Sequence, residues 1–194
     1  MSKRRRNART IDGGRSWGPI VIGAVVVAVI AAFIVVVVVD FRSGSAGGPP
    51  SGVEDIDVGE AGQHIEGSVN YDQTPPVGGE HNSVWQNAGF YEEPVQSENA
   101  VHTLEHGAVW VTYSPDLPQG QVDELQNLAN SRDCIVVSPY PDLGSPVVAS
   151  AWGKQLRLEG ADDPALNNFV GSYLRGPQTP EPGATCTGGV GTPS

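Results

Sequence analysis

The four histidines of this 194-residue chain, His64, His81, His102 and His106, fall in one stretch, and none follows residue 106. His102 and His106 are four apart. On a helix that spacing stacks two imidazoles one turn apart on one face, near enough to share a metal ion. His81 follows Pro75, Pro76, Gly78 and Gly79, whose turns can swing a third imidazole toward the pair, with His64 or Glu105 to complete the set. Metal identity is narrowed by the donors that are missing. The only methionine is Met1, and the two cysteines are expected to bond to each other, so no soft thioether or thiolate site for Cu(I) can form. An imidazole-rich set suits Cu(II), Zn(II), Ni(II) or iron. The competing reading is that the helical pair bonds to backbone or to Glu105, with His64 and His81 in polar loops. No Gly-rich phosphate loop with its lysine and no Gly-x-Ser-x-Gly elbow occurs.

Residues 102–106 (HTLEH) also resemble the H-x-x-E-H pattern of the inverted zinc metallopeptidases, in which two histidines hold zinc and the glutamate activates a bound water. The resemblance ends there. Gly107 stops the helix directly after the motif, and no second long helix follows to bring a downstream glutamate.

The elements that must position these residues begin with a short helix, with Ser97 as its N-cap and Gly107 as its stop. Residues 108–113 (AVWVTY) alternate as a strand, and 116–130 carry Val122, Leu125, Leu128 and Ala129 at helical spacing. Residues 134–138 (CIVVS) are a β-branched run suited to a buried central strand. Residues 147–152 and 155–158 form a hairpin around Gly153 and Lys154. A last helix starts at Asp163 and Pro164, buries Leu166, Phe169, Val170, Tyr173 and Leu174, and stops at Gly176 and Pro177. Between residues 53 and 91 Gly, Pro and Asn recur every few residues, so that part is loop with one or two short strands. The order predicts an α+β domain, a mixed sheet with packed helices. A thioredoxin-like topology without the redox dithiol is one such solution.

Charge divides the chain. Residues 1–42 carry seven basic and two acidic side chains, and the remainder four basic and twenty acidic, for a net charge of −11. That acidic balance excludes a nucleic-acid partner. Residues 19–39 are uncharged and rich in Val, Ile and Ala. As a helix they cover roughly 30 Å, the thickness of a bilayer's hydrocarbon core. Six basic residues precede the run, so the expected arrangement is a cytoplasmic basic tail (1–18), a transmembrane helix (19–39), a flexible linker (40–55) and an extracytoplasmic domain (56–187). Residues 188–194 are expected to be a disordered tail. The rival to an uncleaved anchor is a signal peptide cut within the small residues 43–48. Cys134 and Cys186 would then lie in an oxidising compartment, where one disulfide is expected. A redox dithiol usually has its thiols two residues apart, and these are not.

The turn leading to His81, the step Gly89-Phe90-Tyr91, the stretch 101–107 (VHTLEHG) running into a strand that ends at Tyr113, the later AWG of 151–153, and Cys186 after a Pro/Glu-rich tail together resemble the DUF3105 family of unknown function. The chain departs from that family's usual residues at Gly79 and Glu80. The resemblance implies a single-span exported protein of actinobacterial type whose signature is the His-bearing segment. It supplies no activity, though the company its relatives keep with copper-handling genes places copper ahead of zinc. The expectation is therefore a membrane-anchored domain that binds a transition metal through His81, His102 and His106 with His64 or Glu105, for binding, delivery or sensing. The alternative is an adaptor for an envelope protein partner that carries no metal.

Overall fold

The computed structural model describes residues 48–194. The proposed basic tail and membrane span lie outside those residues, and among the described residues no helix is long and apolar enough to cross a membrane. Among the described residues eight strands and three helices follow one another in the order β1 (Glu54–Asp55), β2 (His64–Ile65), β3 (His81–Asn82), β4 (Gly89–Phe90), α1 (Ser97–Glu105), β5 (Val109–Tyr113), α2 (Gln119–Ser131), β6 (Ile135–Pro139), β7 (Val147–Ala151), β8 (Lys154–Leu158) and α3 (Pro164–Tyr173). Six strands form one mixed sheet in the order β1-β8-β7-β5-β6-β4, while β2 and β3 pair separately. Strands β4, β6 and β5 run parallel, and β5, β7, β8 and β1 alternate antiparallel.

The central strands are buried along their whole length, β5 and β6 included, because helices cover both faces. On one face Val109, Val111 and Tyr113 of β5 pack with Leu125 and Ala129 of α2 and Phe169 and Val170 of α3. On the other, Trp110 and Val136 meet Ala100, Val101 and Leu104 of α1, with Tyr91 and Trp152. Period two in the strands thus separates two apolar layers. Helix α3 starts as its sequence predicts: the Asp163 side chain accepts from the Ala165 N–H at 2.8 Å, and Pro164 sits in the first turn.

Three expectations need correction. Ser97 is the first helical residue of α1 rather than its cap, since Gln96 occupies the cap position with extended backbone and no side-chain bond. The irregular stretch holds four two-residue strands instead of one or two, and the first of them takes Glu54 and Asp55 out of the linker by pairing them with Gln155 and Lys154. Residues 188–194 are not disordered. Asn87 N–H donates to Val190 O, Val190 N–H to Trp85 O, and Ser194 N–H to Phe90 O, at 2.8, 2.9 and 2.9 Å. The tail's many glycines suggest disorder by composition, but Gly189 and Gly191 are needed for close packing: a Cβ at Gly189 would lie 2.1 Å from Trp85 O.

Cys134 and Cys186 are disulfide-bonded, and no other cysteine exists in the chain. The bridge spans 52 residues and fastens the C-terminal segment beside the end of α1.

Candidate metal centre

Two unlike devices bring the candidate side chains together. The first is a parallel ladder only two residues long, in which His64 pairs with His81 and Ile65 with Asn82. Residues directly paired across a ladder point to the same face, so the two imidazoles stand side by side, their ring centroids 4.9 Å apart. The second is helix α1. Its Ala100, Val101 and Leu104 turn to the sheet, which leaves His102 and Glu105, three residues apart, on the side that meets β3. His102 then stacks on His64 with centroids 4.8 Å apart and meets His81 edge-on at 5.0 Å.

The outcome is a group of four residues, His64, His81, His102 and Glu105, that can hold a metal ion. One ligand atom from each lies within 4.8 Å of all the others. Tetrahedral bonds of 2.0–2.1 Å place ligand atoms about 3.4 Å apart, so small side-chain movements close the set around an ion. His81, His102 and Glu105 are buried, while the His64 side chain is 40% exposed.

Hydrogen bonding fixes which ring nitrogen faces the centre. His81 Nδ1 lies 2.7 Å from Gly79 O and His102 Nδ1 lies 2.7 Å from Asn82 O. A carbonyl oxygen only accepts, so each Nδ1 carries the hydrogen and donates it. A ring so oriented, in the neutral form that ligates a metal, has its lone pair on Nε2. His81 Nε2 lies 3.0 Å from Glu105 Oε2, at hydrogen-bond distance, and His64 Nε2 lies 3.8 Å from the same oxygen. Glu105 is fully buried, and the Gly62 N–H donates to its Oε1 at 2.5 Å. The 3.0 Å contact between His81 Nε2 and the buried Glu105 carboxylate is closed either by a shared proton, as a hydrogen bond, or by a cation that takes both atoms as ligands. Backbone carbonyls that orient imidazoles in this way are the usual outer support of metal-binding histidines.

His106 stands outside the group. It is the C-cap of α1, its Nδ1 donates to Thr185 O at 2.6 Å, and its Nε2 faces Glu181 Oε2 at 3.5 Å. The pair expected from i,i+4 spacing is therefore replaced by His102 with Glu105 at i,i+3. The same fact bears on the peptidase pattern: its two histidines do not share a focus here, and its glutamate sits among the ligands. Supporting groups that the sequence did not reveal are the Gly62 N–H, the Gly79 and Asn82 carbonyls, and the indoles of Trp152, edge-on to His81, and Trp85, near His102. A backbone group leaves no mark in residue type, so only the Gly-rich turns hinted at them.

Burial pushes the His102 imidazole below its ordinary 6.5; the bond to Asn82 opposes this, and the imidazoles of His106, His81 and His64 add to it. Its lone pair thus stays free to lower pH than that of an unperturbed imidazole. The folded metal-free protein binds fewer protons at His102 than the unfolded chain, so this group's contribution to stability is present above pH 6.5. It is lost as pH falls from there toward the depressed folded value. Bound metal is expected to leave over the same acid range, because ligation needs the neutral ring. Denaturant midpoints of the metal-free protein and metal retention between pH 8 and 5 measure both, and a midpoint independent of pH would contradict the first.

The described residues thus form a mixed α+β domain with a His/Glu group enclosed between a helix and a two-stranded ladder. Residues 64–188 match the family described as protein of unknown function (DUF3105), and the chain belongs to that family. The match spans all five candidate residues. No curated protein and no solved structure matches the chain.

Proposed function

We propose that this protein binds one divalent transition-metal ion, Cu(II) ahead of Zn(II), through His64, His81, His102 and Glu105. The domain stands outside the cell on an N-terminal membrane span, and its task is to bind, deliver or sense the ion. The observation that carries this reading is the convergence of three imidazoles and one buried carboxylate, from a ladder and a helix, with one ligand atom of each within 4.8 Å of all the others. Three imidazoles and one carboxylate are borderline donors, and for such a set the divalent series peaks at copper. All four places are taken by protein, which favours holding an ion over turning over a substrate on it. The scaffold is best read as a thioredoxin-like arrangement: β8-β7-β5-β6, with the α2 crossover between parallel β5 and β6 and α3 after the hairpin, has that order without a dithiol.

Metal analysis of the chain purified without chelator, followed by titration with Cu(II) and Zn(II), tests the proposal. One tightly bound ion per chain is expected, lost in His81→Ala plus His102→Ala. A folded protein that takes up neither ion would leave a tethered adaptor for an envelope partner as the better account.

A further inference from the structure

His106 and Glu181 repeat on a smaller scale the arrangement of the main centre. His106 is buried, its Nδ1 hydrogen is committed to Thr185 O at 2.6 Å, and its Nε2 faces the Glu181 carboxylate at 3.5 Å. Glu181 differs from Glu105 in being half exposed. It is held at the helix end by its own N–H, which donates to Glu105 O at 3.1 Å. The His106 ring meets His102 edge-on with centroids 4.6 Å apart, and the Trp85 indole packs against both at 5.0 and 5.8 Å. The Trp85 Nε1 is buried with no hydrogen-bond partner. The segment that supplies Glu181 and the Thr185 carbonyl is pinned by the Cys134–Cys186 bridge one residue further on.

We infer that His106 and Glu181 form a second, weaker cation site, an outer station through which a divalent ion such as Cu(II) enters and leaves the buried centre. This rests on the metal-binding reading above. Two protein ligands leave the remaining coordination positions to water, so the station holds an ion loosely, as a place of exchange requires. A carboxylate at the surface draws the hydrated cation in, and the imidazole behind it replaces the first water with nitrogen. The ring of His106 against His102 makes the next ligand a neighbour. No bond other than metal coordination forms or breaks, and the ion's charge is unchanged throughout.

The test is stopped-flow mixing of the full-length protein with Cu(II), read by quenching of indole fluorescence, with Trp85→Phe to assign the signal and equilibrium titration to count ions. The intact chain is expected to take one tightly held and one weakly held ion. Glu181→Gln should abolish the weak equivalent and slow both loading and release of the tight one about tenfold, with the tight affinity unchanged. His106→Gln should behave alike. Unaltered rates and two unaltered equivalents in both variants would overturn the station while leaving the main centre standing. An intact chain that binds no Cu(II) would overturn both.

Discussion

Substituting Glu105→Gln is expected to remove tight metal binding and yet to leave the metal-free protein at least as stable as before. The two side chains are nearly the same shape, and the glutamine oxygen can keep the bond from the Gly62 N–H. Its amide nitrogen then points where Oε2 stood, 3.0 Å from His81 Nε2, and donates to the lone pair that the carboxylate opposes. With the His81 ring neutral, as metal ligation requires, a contact between two acceptors becomes a hydrogen bond, and a fully buried charge is removed. Relief of about 1 kcal/mol or more follows. Affinity moves the other way: loss of an outer support costs a metal site about 10–100-fold, and loss of the anionic ligand itself exceeds that. The sign of the stability change separates the two accounts of the cluster. If a proton bridges His81 and Glu105 as a structural ion pair, the same substitution breaks a charge-assisted bond and destabilises by about 1.5–3 kcal/mol. Denaturant unfolding with chelator present, beside a Cu(II) titration, reads both quantities, and a less stable apo variant would favour the ion pair.

Why this centre was half visible in the sequence is a matter of range. Helix α1 is local: its apolar positions and Gly107 mark it, and with it the clustering of His102 and Glu105 on one side. What misled was the end of the helix. Residues 105 and 106 are neighbours in the chain and both are buried, but α1 ends at Glu105, and His106 at the C-cap is captured by the Thr185 carbonyl from a segment 79 residues away. The ladder that pairs His64 with His81 is two residues long on each side, too short for any periodicity to show. Its existence depends on α1 packing against β3, which is a tertiary fact. The sheet core was legible for the opposite reason. Strand β5 alternates, β6 opens on a β-branched run, β7 and β8 straddle a glycine turn, and α3 has both its cap and its stop written in the chain. The C-terminal tail was misjudged because glycine serves equally for freedom and for close approach, and only the neighbours Trp85, Gln86 and Phe90 decide which.

The second large effect is expected from the double variant Cys134→Ala plus Cys186→Ala. Closing a loop across 52 residues removes chain entropy from the unfolded state worth about 4 kcal/mol, a large share of the roughly 5–15 kcal/mol that holds a domain folded. Both residues are buried in a small cluster with Ala108, so alanine adds no clash and the loss reads mainly the crosslink. The consequence for chemistry is uneven. Every ligand of the buried centre lies at or before Glu105, on the ladder or on α1, and none depends directly on the bridge. The Ala88 N–H to Cys186 O bond, the Thr185 carbonyl on His106 and the Glu181 carboxylate all belong to the segment the bridge fastens. At temperatures where the double variant remains folded, it should therefore keep its tight ion and lose the weak one, with exchange slowed as in Glu181→Gln. Thermal or denaturant unfolding with ion counting decides this. A variant as stable as the parent would mean that the tail is held by its backbone bonds alone, and loss of the tight ion in the folded variant would mean that the centre relies on the tail more than its ligand positions indicate.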